Sequence, residues 1–109
     1  MLAELSKAVK EFDTLPDIEL GYCEGELLGF SYFANGEINI VNDLLGQPYI
    51  RIGTQHYNST PRVKTNYRNG LGTLIRKGFA EKWQGNSFIL TKKGWDKAKE
   101  IVEDIKRNH

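Results

Sequence analysis

Apolar residues recur along this chain in two periods, and the places where the period changes divide it into elements. Leu2, Leu5, Val9 and Phe12 fall at three- and four-residue steps, which puts them on one side of a helix with Glu4, Lys7, Lys10 and Glu11 mostly outward. Leu15-Pro16-Asp17 breaks that helix, because proline disfavours helical backbone in the residue before it, and Asp17 is placed to cap a second helix. From Ile18 to Ala34 the acids thin out, and Leu27, Leu28, Phe30, Tyr32 and Phe33 cover most of the helical circumference. That pattern predicts a core helix buried on several sides. Asn35-Gly36 ends it, glycine being the usual residue where the chain must turn with positive φ.

Between 37 and 52 the period shortens to two. Ile38 and Ile40 alternate with Asn39, and Tyr49-Ile50-Arg51-Ile52 follows a Leu-Gly-Gln-Pro bend, which predicts a hairpin. Residues Val41 to Leu45 also suit a short helical turn of an ordinary helix-turn-helix, so both readings stand at this point. After a polar loop, Gln55 to Thr60, Pro61 is well placed as a first helical residue behind a threonine cap. Val63, Tyr67, Leu71, Leu74 and Ile75 then share one face of a helix over 61–77. Gly70 and Gly72 weaken it by roughly 1 kcal/mol each relative to alanine, unless glycine is what permits close packing.

The helix stops at Gly78, and a strand over 79–83, a tight turn at Gly85-Asn86 and a strand over 87–90 follow. Thr91 caps a last helix whose stripe is Trp95, Ala98, Ile101, Val102 and Ile105, with Lys106 and Arg107 at its negative end. The pattern gives an α+β fold, one domain over 1–109, in the order α-α-β-β-α-β-β-α.

Length supports a single core, since 109 residues suffice for one hydrophobic interior but not comfortably for two. Apolar residues at 39% and charged residues at 27% are near globular averages, so the chain is expected to fold. Cys23 is the single cysteine and the two histidines are isolated, so neither a disulfide nor a four-ligand metal site is expected. No segment approaches eighteen consecutive apolar residues, and the expectation is a cytoplasmic protein without a membrane span. Charge changes the picture most. Residues 1–48 hold two lysines against nine acids, whereas residues 49–109 hold thirteen lysines and arginines against five acids. Such asymmetry points to an anionic partner, although a charge match between elements of one fold produces it as well.

The segment LGTLIRKGFAEKWQGNSFILTKKGWDKAKEI, from Leu71 to Ile101, resembles the third helix, wing and following helix of bacterial winged helix-turn-helix proteins. In that family a leucine-rich helix leads to a Gly-aliphatic step, a wing, and Leu-Thr-x-x-Gly. Residues 36–101, with GEINIVNDLLGQPYIRIG as an inserted hairpin before the helix, are loosely similar to uncharacterised winged-helix segments that accompany bacterial defence and signalling domains. The resemblance implies a winged-helix-like fold and double-stranded DNA as ligand. The usual second helix and tight turn are not visible between Gly36 and Thr60, which implies a helix over 61–77 presented differently from that of a standard regulator.

The residues themselves allow that function. Opposite the apolar side of the 61–77 helix lie Arg62, Thr65, Asn66, Asn69, Thr73 and Arg76, with Lys64, Arg68 and Lys77 on its flanks. Arginine and asparagine offer the paired hydrogen bonds that guanine and adenine edges accept, while threonine and lysine suit phosphates. Gly72, on the outward side, allows close backbone approach. Lys82, Gln84, Asn86, Lys92 and Lys93 supply a second set of donors on and beside the wing. A solvated surface helix and a lysine-protected hairpin edge explain the same composition without a ligand. Tyr57 in the polar loop is the one plausible base stacker, Tyr67 falls on the apolar face, and Trp83 and Trp95 are expected to pack the wing against the last helix.

An enzyme is not expected. Glu24 and Glu26 diverge on a helix, His56 has no sequence-local partner, and Cys23 has no basic neighbour to form thiolate. No cofactor fingerprint is present. The expectation is a DNA-binding protein, such as a transcriptional regulator, paired as a homodimer through its terminal helices. The apolar stripes of those helices are equally suited to completing the monomer's own core. The rival is a protein-interaction or adaptor module of a bacterial or phage defence-related system, whose acidic and basic halves engage a protein partner.

Overall fold

The computed structural model describes residues 20–107. The expected helix over Leu2 to Phe12 and the cap at Asp17 lie outside the described residues.

Alternation between Glu37 and Leu90 builds a five-stranded antiparallel sheet, ordered β3-β2-β1-β5-β4. The predicted hairpin is its centre: β1 (Glu37–Asn42) pairs with β2 (Pro48–Ile52) in a register that sets Ile40 opposite Ile50 and Asn42 opposite Pro48. The helical alternative for Val41 to Leu45 is thereby excluded. Asp43 makes the turn instead, its Oδ1 accepting from the Leu45 and Gln47 amides at 2.8 and 2.9 Å.

A third strand, β3 (Gln55–Tyr57), occupies the start of the expected polar loop. Ile52 pairs with Gln55 across Gly53-Thr54, and Gly53 takes φ +57. A two-residue turn opened by glycine is a hairpin signal, but a three-residue strand is too short to show alternation. The wing follows, with β4 (Ala80–Gln84) paired to β5 (Ser87–Leu90), and β5 joins the hairpin by pairing with β1.

Three helices complete the described fold: α1 (Tyr22–Tyr32), α2 (Pro61–Arg76) and α3 (Lys92–Arg107). Helix α1 starts behind Gly21 and closes before Asn35 and Gly36, which take φ +57 and +73. Its burial is narrower than the several-sided burial expected, with Leu27, Leu28 and Ser31 its buried residues. Leu27 and Leu28 are fully buried, but Tyr22, Phe30 and Phe33 are exposed.

The core lies where α1 and α2 meet the sheet, in Leu27, Leu28, Ile38, Ile50, Leu71 and Leu74. Gly70 lets the two helices close, for a Cβ there would stand 3.3 Å from both Cys23 Cβ and Leu27 Cδ1. Helix α3 closes the fold against α1, with Trp95 edge-on to Tyr32 at 5.8 Å between centroids. Trp95 therefore packs α3 against the end of α1 and Trp83 stands exposed on β4, so neither joins the wing to α3 as expected.

Candidate nucleic-acid interface

Helix α2 is held by its own ends. Thr60 accepts from the Val63 amide at 3.0 Å ahead of Pro61, the capping predicted from sequence. At the other end Gly78 takes φ +81, its amide reaching Ile75 O and the Phe79 amide reaching Leu74 O. This paired bond pattern ends the helix in a Schellman motif and turns the chain directly into β4.

Tyr67, Gly70, Leu71 and Leu74 form the buried side of α2. The opposite side carries Arg62, Thr65, Asn66, Asn69 and Arg76, all exposed, with Thr73 half-buried among them. Arg76 donates to Thr73 Oγ1 at 3.1 Å, which keeps its guanidinium along the outward face. Gly72 is open as expected, since a Cβ there would meet only the Arg76 guanidinium at 3.8 Å.

The flanks behave differently. Lys64 is turned to the hairpin, its Nζ 2.6 Å from Asp43 Oδ2, and both side chains are about four-fifths covered. It joins the acidic and basic halves and is withdrawn from the outward set. Donation from Lys64, followed by the Gln47 amide, holds the Asp43 carboxyl below its usual 3.8. Arg68 folds back on its helix, donating from Nε to Lys64 O at 3.3 Å. Lys77 is the C-cap of α2.

On the wing, Lys82, Gln84 and Asn86 are exposed. Lys82 pairs with Phe88 and Gln84 with Ser87, with a bulge between them. Because Phe88 and Ser87 are successive strand residues, the bulge sends Lys82 to the helix side of the sheet and Gln84 to the outer side. Two residues apart in a regular strand, they would have shared a face.

At the start of α3, Lys93 Nζ donates to Lys77 O at 2.9 Å and lies 4.9 Å from the Phe79 ring centroid. Its charge thus sits at the negative end of α2, where a cation is favoured. Lys92 is exposed and reaches Asp96 at 3.4 Å. Of the fourteen donors expected from sequence, then, Arg62, Thr65, Asn66, Asn69, Thr73 and Arg76 form one contiguous face. Lys64, Arg68 and Lys93 have bonds within the fold.

The expected stacker is turned away from solvent. Tyr57 is buried, its ring stacked on that of Tyr67 at 4.0 Å between centroids. The sequence placed it in a loop, and the short strand β3 turned it inward. Tyr67 donates to Glu26, a bond between side chains 41 residues apart that no spacing rule reveals. Burial first, and then that donation, raises the Tyr67 pKa; burial followed by the charge of Glu26 raises that of Tyr57. Cys23 lies beside this group, and burial followed by the charge of Glu24 raises its thiol above 9.0. His56 Nδ1 lies 3.2 Å from the Tyr49 hydroxyl. Among the described residues no three His, Cys, Asp or Glu side chains gather into a potential metal site, and no helix is long and apolar enough to cross a membrane.

No protein family, curated protein or solved structure matches this chain.

Proposed function

We propose that the protein is a cytoplasmic, double-stranded DNA-binding protein of the regulatory kind, with α2 as the groove-facing helix and the wing beside it. The reading rests on the outward face of α2. Pro61–Arg76 holds four cations and no acid, and its exposed side is a run of arginine, asparagine and threonine. Arg62 stands in the first turn, where the helix dipole disfavours a cation and an acid would be the stabilising choice. A face chosen only for stability or solubility has no reason to make that choice, whereas a phosphate partner gives it one.

Fluorescence anisotropy with a labelled random-sequence duplex, across a salt series, tests this. Binding at low salt that weakens steeply as salt rises is the expected result. Arg62→Ala with Arg76→Ala should weaken binding and flatten the log-log salt slope by about 2, one for each phosphate no longer neutralised. Absence of binding at low salt, or a double variant indistinguishable from the parent, would refute the assignment.

A protein-docking role has its own supporting observation. Leu44 and Leu45 stand fully exposed at the tip of the β1–β2 turn, held there by the Asp43 side chain. Two leucines presented on a fixed turn suit a protein partner better than a duplex. Under this second reading Leu44→Ser with Leu45→Ser abolishes partner capture and leaves any duplex binding unchanged.

A further inference from the structure

An open apolar groove of about 820 Å³ runs between α1 and α3. Tyr22, Phe30 and Phe33 line one side and Ile101 and Ile105 the other, with Tyr22 80% and Phe33 70% exposed. Clustered exposure of this kind marks a binding surface rather than scattered surface apolarity. Its floor carries Gly25 and Gly29, where an added Cβ would meet nothing within 4 Å. Each glycine costs the helix about 1 kcal/mol relative to alanine, and no described neighbour requires it. What the two glycines give is room for another backbone to come close.

We propose that this groove is the seat of the chain's own residues 2–12, with the Leu2, Leu5, Val9 and Phe12 stripe laid over Phe30, Phe33 and Ile105. Leu20 lines the groove and is the first described residue, so the segment leads from the groove's own rim. The residues between Phe12 and Leu20 span at most about 25 Å, ample to reach along a groove at whose edge they start. As a helix the stripe rises about 15 Å, matching the roughly 16 Å of α1. Pro16 supplies the break needed to fold back. Charge favours the α3 side of the groove: residues 1–19 hold five acids against two lysines, and α3 holds six cations against four acids, with Lys106 at the groove's α3 wall and Glu26 at its α1 wall. The inference does not depend on DNA binding and stands or falls separately.

Paramagnetic broadening in the full chain tests it. A nitroxide is attached in the variant Ser6→Cys with Cys23→Ser, and amide signals of α1 and α3 are followed. Loss of intensity around Phe30, Phe33 and Ile105 is expected within one chain, with none in a mixture of spin-labelled and isotope-labelled chains. Broadening in the mixture would make a second copy the occupant and overturn the proposal, as would no broadening in either sample. Leu5→Asp with Val9→Asp should speed hydrogen exchange of α1 amides about tenfold while sheet and α2 amides keep their protection. Unchanged exchange in α1 would also overturn it.

Discussion

Tyr57 and Tyr67 are stacked neighbours with opposite polar accounts. Tyr67 gives its hydroxyl proton to Glu26, whereas the Tyr57 hydroxyl is buried without a hydrogen-bond partner among the described residues. An unmade bond to a buried polar atom costs more than a made one gains. Tyr57→Phe should therefore raise the unfolding free energy by about 1 kcal/mol, and Tyr67→Phe should lower it by about the same amount, both read from urea denaturation. The two helix glycines separate in the same way. Gly70→Ala requires Cys23 and Leu27 of α1 to give by a few tenths of an ångström in a packed seam and should destabilise by about 1 kcal/mol, while Gly72→Ala meets only a flexible guanidinium and should stabilise by about 0.5 to 1 kcal/mol. The sequence placed Gly72 on the outward side but could not show that Gly70 faces Cys23 and Leu27, because helical spacing states which side a residue is on and not what stands opposite it.

Between α2 and α3 the wing is an element whose signature explains itself. Thr91 accepts from the Gly94 amide at 3.0 Å, donates to Gly78 O at 2.6 Å, and its own amide reaches Phe79 O at 3.0 Å. One residue thus caps α3 and ties its start to the end of α2. Gly94 is demanded by the same junction, since a Cβ there would lie 1.9 Å from Phe79 O. Gly94→Ala should cost about 2 to 3 kcal/mol and lower the thermal midpoint, and Thr91→Ala should cost about 1 kcal/mol as a lost cap. Serine at 91 should restore most of that loss, because its hydroxyl keeps both bonds. The Leu-Thr-Lys-Lys-Gly run was legible as a cap and helix start from residue types alone. The strand β3 was not, for three residues carry no period, and the bulge at Trp83 was not, because it depends on how β4 meets β5.

At the scale of the whole molecule the charge asymmetry is partly internal. Lys64 reaches across to Asp43, while the other ion pairs among the described residues, Lys92–Asp96, Lys97–Glu100 and Asp104–Arg107, stay within α3. With its carboxyl held below 3.8, Asp43 favours the folded chain when ionised. Its contribution is complete above that value and is lost as pH falls through the lower, folded pKa. Thermal midpoints measured from pH 5 down to pH 2.5 should therefore fall more for the parent than for Asp43→Asn, which keeps the turn's acceptor oxygen but has no charge to lose. Arg62, Asn66, Asn69 and Arg76 remain as the outward face to which the asymmetry points.

Residue types and their periods, by themselves, determined the described helices, the wing, the caps at Thr60 and Thr91, and the composition of the outward side of α2, and they left the β1–β2 hairpin open against a helical turn at Val41 to Leu45. These follow from local steric and hydrogen-bonding rules that act within a few residues. Only the tertiary structure decided that Lys64 is spent on Asp43, that Tyr57 points inward, that Lys82 and Gln84 part company, and that α1 leaves an apolar groove against α3. Each of those outcomes depends on which surfaces meet across long stretches of chain, and burial is a property of that meeting rather than of any residue alone.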